Sequence, residues 1–274
     1  MTDVRTAGGT RPTGPDAPAL PLSAVLIVKN EEAGLPACLD SLRGLCREIV
    51  VVDDHSTDGT VAIARRYTER ILTRRLDGFG AQKQFALEQA TEEWVLSIDA
   101  DERLTPALRA EIRQELAAPR ADGYEIRREV LFLGRPLRHG GLERDRVLRL
   151  FRRTLGAFTP EPVHEHVVVR GQVARLRAPL RHETHQTLHA YLEAVNLYST
   201  LAAERAYARG RRFRVWMHLS PVWEFLTRFG VRLGFLDGHA GFLYAALSAY
   251  AAWLRALKLR EIGATASRRG DAEA

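Results

Sequence analysis

Trp94-Val95-Leu96-Ser97-Ile98-Asp99-Ala100-Asp101-Glu102 is the stretch whose reading decides the fold of this 274-residue chain. An apolar run of strand length that ends in two carboxylates one residue apart delivers acids to the carboxyl edge of a sheet, where open α/β folds bind ligands. Burying a carboxylate is costly unless it is paired or bound to a metal, so such a pair suits a hard cation, Mg²⁺ or Mn²⁺. The structural alternative is a helix cap, because Asp101, Glu102 and Thr105-Pro106 precede a helical stretch and acids favour that end.

Working outward, Glu48-Ile49-Val50-Val51-Val52 is a second short apolar run and ends in Asp53-Asp54-His55-Ser56-Thr57-Asp58-Gly59-Thr60. A third strand, 22–28, enters the polar turn Lys29-Asn30-Glu31-Glu32. With right-handed crossovers these strands lie parallel in one sheet, so their Asn, Asp and Glu residues gather on one edge. Strands at 22–28, 48–52, 70–73 and 94–98 alternate with helical patterns at 34–44, 59–68, 81–91 and 106–117. Mostly parallel sheet with helices on both faces follows from that alternation. Short strands joined by Gly and Pro turns at 124–133, 147–152, 163–169 and 173–180 predict a partly antiparallel second half. No internal repeat is present.

The division expected is a disordered leader at 1–20, an α/β domain at 21–184, a helical basic and aromatic region at 185–262 and a disordered tail at 263–274. The leader lacks the apolar core of a signal peptide. Cys38 and Cys46 are the only cysteines and read as small apolar fillers, consistent with a cytoplasmic compartment. Net charge is +6. Between Arg205 and Arg269 twelve Arg or Lys face only Glu224, Asp237 and Glu261, interleaved with Trp, Phe, Leu and Tyr. That mixture suits a membrane surface rather than nucleic acid. The longest uncharged apolar stretch, 240–254, is fifteen residues, short of the ~20 that span a bilayer. It is expected either in the membrane interface, beside the aromatic segments at 213–235 and 242–253, or as a buried helix.

Ser23-Ala24-Val25-Leu26-Ile27-Val28-Lys29-Asn30-Glu31-Glu32, Val51-Val52-Asp53-Asp54-His55-Ser56-Thr57-Asp58-Gly59-Thr60 and Asp99-Ala100-Asp101, in that order and spacing, resemble the inverting glycosyltransferases of family 2. The fold this implies is GT-A, an α/β mixed sheet flanked by helices, here with a helical C-terminal appendage. Phe79-Gly80-Ala81-Gln82-Lys83-Gln84-Phe85-Ala86-Leu87, Arg146-Val147-Leu148-Arg149-Leu150-Phe151-Arg152-Arg153, Val163-His164-Glu165 and Gly234-Phe235-Leu236-Asp237-Gly238 with Gly241-Phe242 are similar to the branch that adds glucose or a related sugar to the lipopolysaccharide inner core.

The resemblance implies a nucleotide-diphosphate sugar donor, most simply UDP-glucose, a lipid-linked or cell-envelope saccharide acceptor, and a place on the inner face of the cell membrane. Asp54 would accept a hydrogen bond from the base, flanked by Ile27, Lys29 and Asn30. Asp101 would be the main metal carboxylate, and Asp99 would orient the ribose or the metal. Lys83, one of three lysines, would pair with the diphosphate or lie solvated on a helix face. Gln82 and Gln84 are lesser candidates. Inversion needs a general base for the acceptor hydroxyl. The Glu-Asp pair used by many members is absent, which leaves Glu165 first and Asp145 second. His164 would be a metal ligand, a phosphate contact or a buried imidazole. Arg146, Arg149, Arg152 and Arg153 suit the diphosphate or an anionic acceptor, although strand alternation keeps some of them from the site. A phosphatase of the haloacid dehalogenase type fits poorly, because Arg103 stands where its motif carries Thr or Val. A sugar nucleotidyltransferase would need an N-terminal Gly-rich turn that is missing, and a noncatalytic membrane scaffold is the remaining alternative.

Overall fold

The computed structural model describes residues 18–142, 145–159, 166–183 and 187–273, with side chains as far as residue 266. The chain forms two compact units, one of 1–127 and 146–180, the other of 128–145 and 181–274. The hairpin segment 128–145 therefore belongs with the helical part, whereas the sequence grouped it with the α/β domain. Residues 1–17 of the expected leader lie outside the described residues.

In the first unit, β1 (Leu20–Val28), α1 (Leu35–Leu42), β2 (Cys46–Asp53), α2 (Thr60–Ala64), β3 (Ile71–Thr73), α3 (Phe79–Gln89) and β4 (Trp94–Ser97) alternate as the pattern required. β5 (Glu102–Leu104), α4 (Pro106–Ala117), β6 (Gly123–Phe132), β7 (Arg135–Pro136), β8 (Arg146–Arg152), β9 (Gly156–Phe158), β10 (Val167–Val169), β11 (Val173–Arg175) and β12 (Leu180–His182) follow, β6 and β12 running on into the second unit and β7 belonging to it. The sheet order is β3-β2-β1-β4-β8-β6, with β11 also on β6. β1 to β4 are parallel, and β8 then runs antiparallel to both β4 and β6.

Period-two alternation divides the core between the two faces. Leu22, Ala24, Leu26, Trp94, Leu96 and Leu150 pack with Leu35, Leu39, Leu108 and Ile112 on one face. Val25, Val50, Val52, Val95 and Phe151 pack with Ala86 and Leu87 of α3 on the other. Each fully buried Leu contributes about 1.5–3 kcal/mol. The anchor at the opposite, amino edge is Glu48, whose carboxylate accepts from Ser23 Oγ, Thr91 N (2.8 Å), Thr91 Oγ1 (3.0 Å) and Arg70. Burial pushes its pKa up, but these donors outweigh burial and bring it below the ordinary value. Its stabilising contribution is thus present above the unfolded-state pKa and is lost as pH falls through the lower folded-state value. Urea denaturation at pH 7 and at pH 3 should show a Glu48→Gln variant less stable than the parent at neutral pH, with the gap closing in acid.

In the second unit, α5 (Leu188–Ala208) packs along α7 (Gly238–Glu273). A stripe of Ala245, Ala249, Ala252, Ala256 and Leu259 at helical spacing is buried, as are Val195, Ser199 and Ala203 of α5. Lys258 Nζ donates to Asn196 O, Asn196 Oδ1, Ser199 Oγ and Thr200 Oγ1 at 2.5–2.9 Å, fixing the register. The stretch 240–254 is therefore a packed helix through its alanine face. α7 continues as far as Glu273, across the boundary expected for a disordered tail. Between these helices lie a tight turn at Val215–Leu219, α6 (Ser220–Phe225), a wide π-type turn at Leu226–Val231 and a turn at Gly234–Asp237. Gly241 has no room for a side chain, since a Cβ there would meet Gly234 O at 1.9 Å. Asp237 accepts from the backbone N–H groups of Arg138 (3.0 Å) and His139 (2.8 Å), which accounts for the Gly234…Asp237…Gly241 spacing.

Candidate active site

The loops after β1, β2 and β4 meet at the carboxyl edge of the parallel strands. Asn30 takes a left-handed conformation (φ 53°), which Asn tolerates well, and its Oδ1 accepts from Thr57 N at 2.8 Å. Glu31 N donates to Thr60 Oγ1 (2.7 Å), Glu32 N to Asp58 Oδ2 (3.2 Å), and Gly59 N to Glu32 Oε2 (2.8 Å). Gly34 approaches the third loop so closely that a Cβ would lie 3.2 Å from Ala100 O.

Asp54 is buried, with Oδ2 2.8 Å from Lys29 Nζ and Oδ1 accepting from Leu76 N at 3.0 Å. The Lys29 hydrogen bond and the Leu76 N–H hold its carboxyl below the ordinary value. A carboxylate offers about four lone-pair positions, so two protein donors leave capacity for a ligand N–H. Ile27 is half-buried against the α3-side core.

Asp99, its side chain 31% exposed, pairs through Oδ1 with Lys83 Nζ at 3.0 Å and through Oδ2 with Arg149. Arg149 also donates to the fully buried Glu102 Oε1 at 2.7 Å. Desolvation pushes the Asp99 pKa up, but the Arg149 and Lys83 charges outweigh it and hold the carboxyl well below the usual range. Both Asp99 oxygens face cations, so this carboxylate is engaged within the protein. Lys83 is buried and turned toward Asp99 rather than solvated.

Glu31 lies half-buried beside these acids, and its pKa is raised to about 7, first by desolvation and then by the charges of Asp101, Asp99 and Asp58. That excess of carboxylate fits a hard cation. Among the described residues no group of three or more His, Cys, Asp or Glu side chains could hold a metal by itself.

The helix-cap alternative does not hold for the acids. Thr105 caps α4, its Oγ1 accepting from Leu108 N at 3.1 Å. Gln82 is bonded to Arg74, its Nε2 donating to Arg74 O at 2.8 Å, and Gln84 Oε1 accepts from Phe158 N at 3.0 Å, so both serve packing. Of the β8 arginines only Arg149 reaches the acidic turn. Arg152 pairs with Glu93 and Asp122, Arg153 donates to Glu92 O, and Arg146 donates to Leu176 O. Asp145 belongs to the second unit, where Arg128 grips it with Nε and Nη2 at 2.9 and 3.0 Å. His164 and Glu165 lie outside the described residues. In the sequence Glu31 is one of the strand-end acids without an assigned role and Glu102 enters only through the helix-cap alternative; the signal for Glu102 is its place directly after Asp99-Ala100-Asp101.

Over 251 residues the chain is 37% identical to the lipopolysaccharide core biosynthesis glycosyltransferase LpsC of Rhizobium meliloti (strain 1021), with 88% of this chain and 93% of that protein covered. It is 17% identical to S. aureus TarS 1–349, with 91% of each chain covered and a TM-score of 0.45. Glucosyl-3-phosphoglycerate synthase from Mycobacterium tuberculosis, solved with Mn²⁺ and UDP-glucose, is 25% identical over 40% of this chain and 43% of that one, with a TM-score of 0.33. The profile of glycosyl transferase family 2 matches residues 23–177, more than half of the chain. Its strand-end acids lie on one edge of a mixed sheet flanked by helices, and the protein belongs to glycosyltransferase family 2, with the GT-A fold.

Proposed function

We propose that this glycosyltransferase moves a sugar, glucose in the simplest case, from a UDP-sugar to a lipid-linked or cell-envelope saccharide of the lipopolysaccharide core type, with inversion at the anomeric carbon. The observation that carries the donor half is the gathering of Asp54, Asp99, Asp101 and Lys83 around three strand ends of one sheet. Similarity to LpsC along nearly its whole length supports the acceptor half. Asp54 receives the base N–H, with Ile27, Lys29 and Asn30 beside it, and Asp101 holds Mn²⁺ or Mg²⁺ with His164 as a further ligand. When bound, the ion neutralises charge that builds on the departing diphosphate. Lys83, already aimed at Asp99, is placed to turn toward the diphosphate. Glu165 takes the acceptor proton, Asp145 being the second choice because Arg128 already engages both of its oxygens. Work at the inner face of the membrane follows from a lipid-linked acceptor.

Calorimetric titration with UDP and with GDP, each with and without Mn²⁺, tests the donor reading. UDP is expected to bind in preference and to require the metal. An Asp54→Asn variant should bind UDP about tenfold more weakly, the scale of one hydrogen bond to a charged group. Binding of GDP alone, or UDP affinity indifferent to Asp54, contradicts the assignment. The product anomer, read by NMR, checks inversion.

A further inference from the structure

The second unit exposes an apolar face that its own packing does not use. Val215, Trp216, Leu219, Val222, Trp223 and Leu226 recur at helical spacing through the turn at Val215–Leu219 and α6, and Val215, Trp216 and Trp223 are 78%, 63% and 72% exposed. The opposite side of the same segment faces inward. Phe225 and Phe229 stack with centroids 5.3 Å apart and both meet Phe242 edge-on. Arg228 donates to Glu224 at 2.6 Å and to Tyr244 Oη at 3.0 Å. The segment is thus held in place by one side while the other presents large apolar side chains to solvent, a pattern that marks an interaction surface.

Its flank is cationic. Arg209, Arg211, Arg212 and Arg214 are all exposed, and no acidic residue occurs between Glu204 and Glu224. Two tryptophans with aliphatic neighbours beside a run of arginines match a lipid interface, where apolar side chains enter the acyl boundary and guanidinium groups meet anionic headgroups. Among the described residues no helix is long and apolar enough to cross a membrane, so the contact would be interfacial.

We infer that the face formed by Val215, Trp216, Leu219, Val222, Trp223 and Leu226, with the arginines at 209–214, docks this protein on an anionic lipid surface. This deepens the reading of a lipid-linked acceptor and centres the contact on 215–226, whose apolar side chains are 54–78% exposed against 41–45% for Phe242, Tyr250 and Trp253 of 240–254, a stretch whose alanine face packs within the unit.

Sedimentation of the full chain with phosphatidylglycerol or with phosphatidylcholine vesicles tests the inference. Binding to the anionic vesicles is expected, and Trp216→Ser/Trp223→Ser should weaken it about tenfold or more. Arg211→Gln/Arg212→Gln/Arg214→Gln should weaken it about a hundredfold and remove the preference over phosphatidylcholine. Quenching of tryptophan emission by brominated phosphatidylglycerol adds a direct readout: Trp94 is buried in the other unit and Trp253 is 41% exposed on α7, so the parent should be quenched well beyond the Trp216→Ser/Trp223→Ser variant. Absent quenching, unchanged binding of both variants, or vesicle-indifferent protein whose dimer dissolves on Trp216→Ser/Trp223→Ser, the mark of a second copy on this face, would each overturn it. UDP titration of the same samples separates the two readings. Vesicle binding without UDP binding counts against the donor assignment alone, and UDP binding without vesicle binding against the surface alone.

Discussion

Asp101→Ala is expected to lower the rate of sugar transfer by about 10²–10³-fold while leaving the fold intact. The side chain stands at the turn after β4, and its charge, with those of Asp99 and Asp58, adds to burial in raising the Glu31 pKa to about 7. On the proposed assignment its removal takes away the metal carboxylate, and the charge stabilisation a divalent ion supplies is worth several kcal/mol in the transition state, each 1.36 kcal/mol being tenfold in rate. The measurement is kcat with a UDP-sugar across a Mn²⁺ series, with thermal unfolding as the control. Turnover near the parent rate at saturating Mn²⁺ would reassign the metal to other residues.

The largest effect on stability is expected at Arg149. Its guanidinium, 8% exposed, lies between Asp99 and the fully buried Glu102. Removing one partner of a buried ion pair leaves the other's charge uncompensated and costs about 3–5 kcal/mol, whereas replacing both partners can be nearly neutral. Arg149→Met should therefore be severely destabilised in urea denaturation, and Arg149→Met/Glu102→Gln should recover a large part of the loss. A single variant within about 1 kcal/mol of the parent would show that the network does not carry this stability. Nucleotide titration of the double variant adds a separate readout. Weakened UDP binding in a protein of restored stability would mark Arg149 as a positioning residue that acts through Asp99.

Much of the first unit was legible because its signals are local. Branched apolar runs at 22–28, 48–52 and 94–98 became β1, β2 and β4, and the acids directly after them became the strand-end cluster. Thr105-Pro106 announced the start of α4, and Thr105 rather than Asp101 or Glu102 proved to be its cap. The role of Arg149 was not legible, since β8 carries several arginines of equal local standing. It is singled out by the pairing of Leu96 with Leu150, which brings the adjacent residue of β8 beside the acidic turn. Lys83 was similarly ambiguous until α3 packed on the sheet and turned it toward Asp99.

In the second unit the sequence announced helices, a basic balance and abundant aromatic side chains, and it drew attention to 240–254 as the most apolar stretch. Packing reversed the emphasis. The small alanine side chains of α7 let α5 approach closely, while the larger residues at 215–226 were left outside by the turn that sets the half-buried Phe225 and Phe229 against each other. Periodicity and strand-end chemistry are properties of neighbouring residues, and from them the chain alone determined its alternating α/β order and where its acids would stand. Which arginine joins those acids, and which apolar face meets solvent, depends on contacts between residues far apart in sequence, and these only the tertiary structure decided.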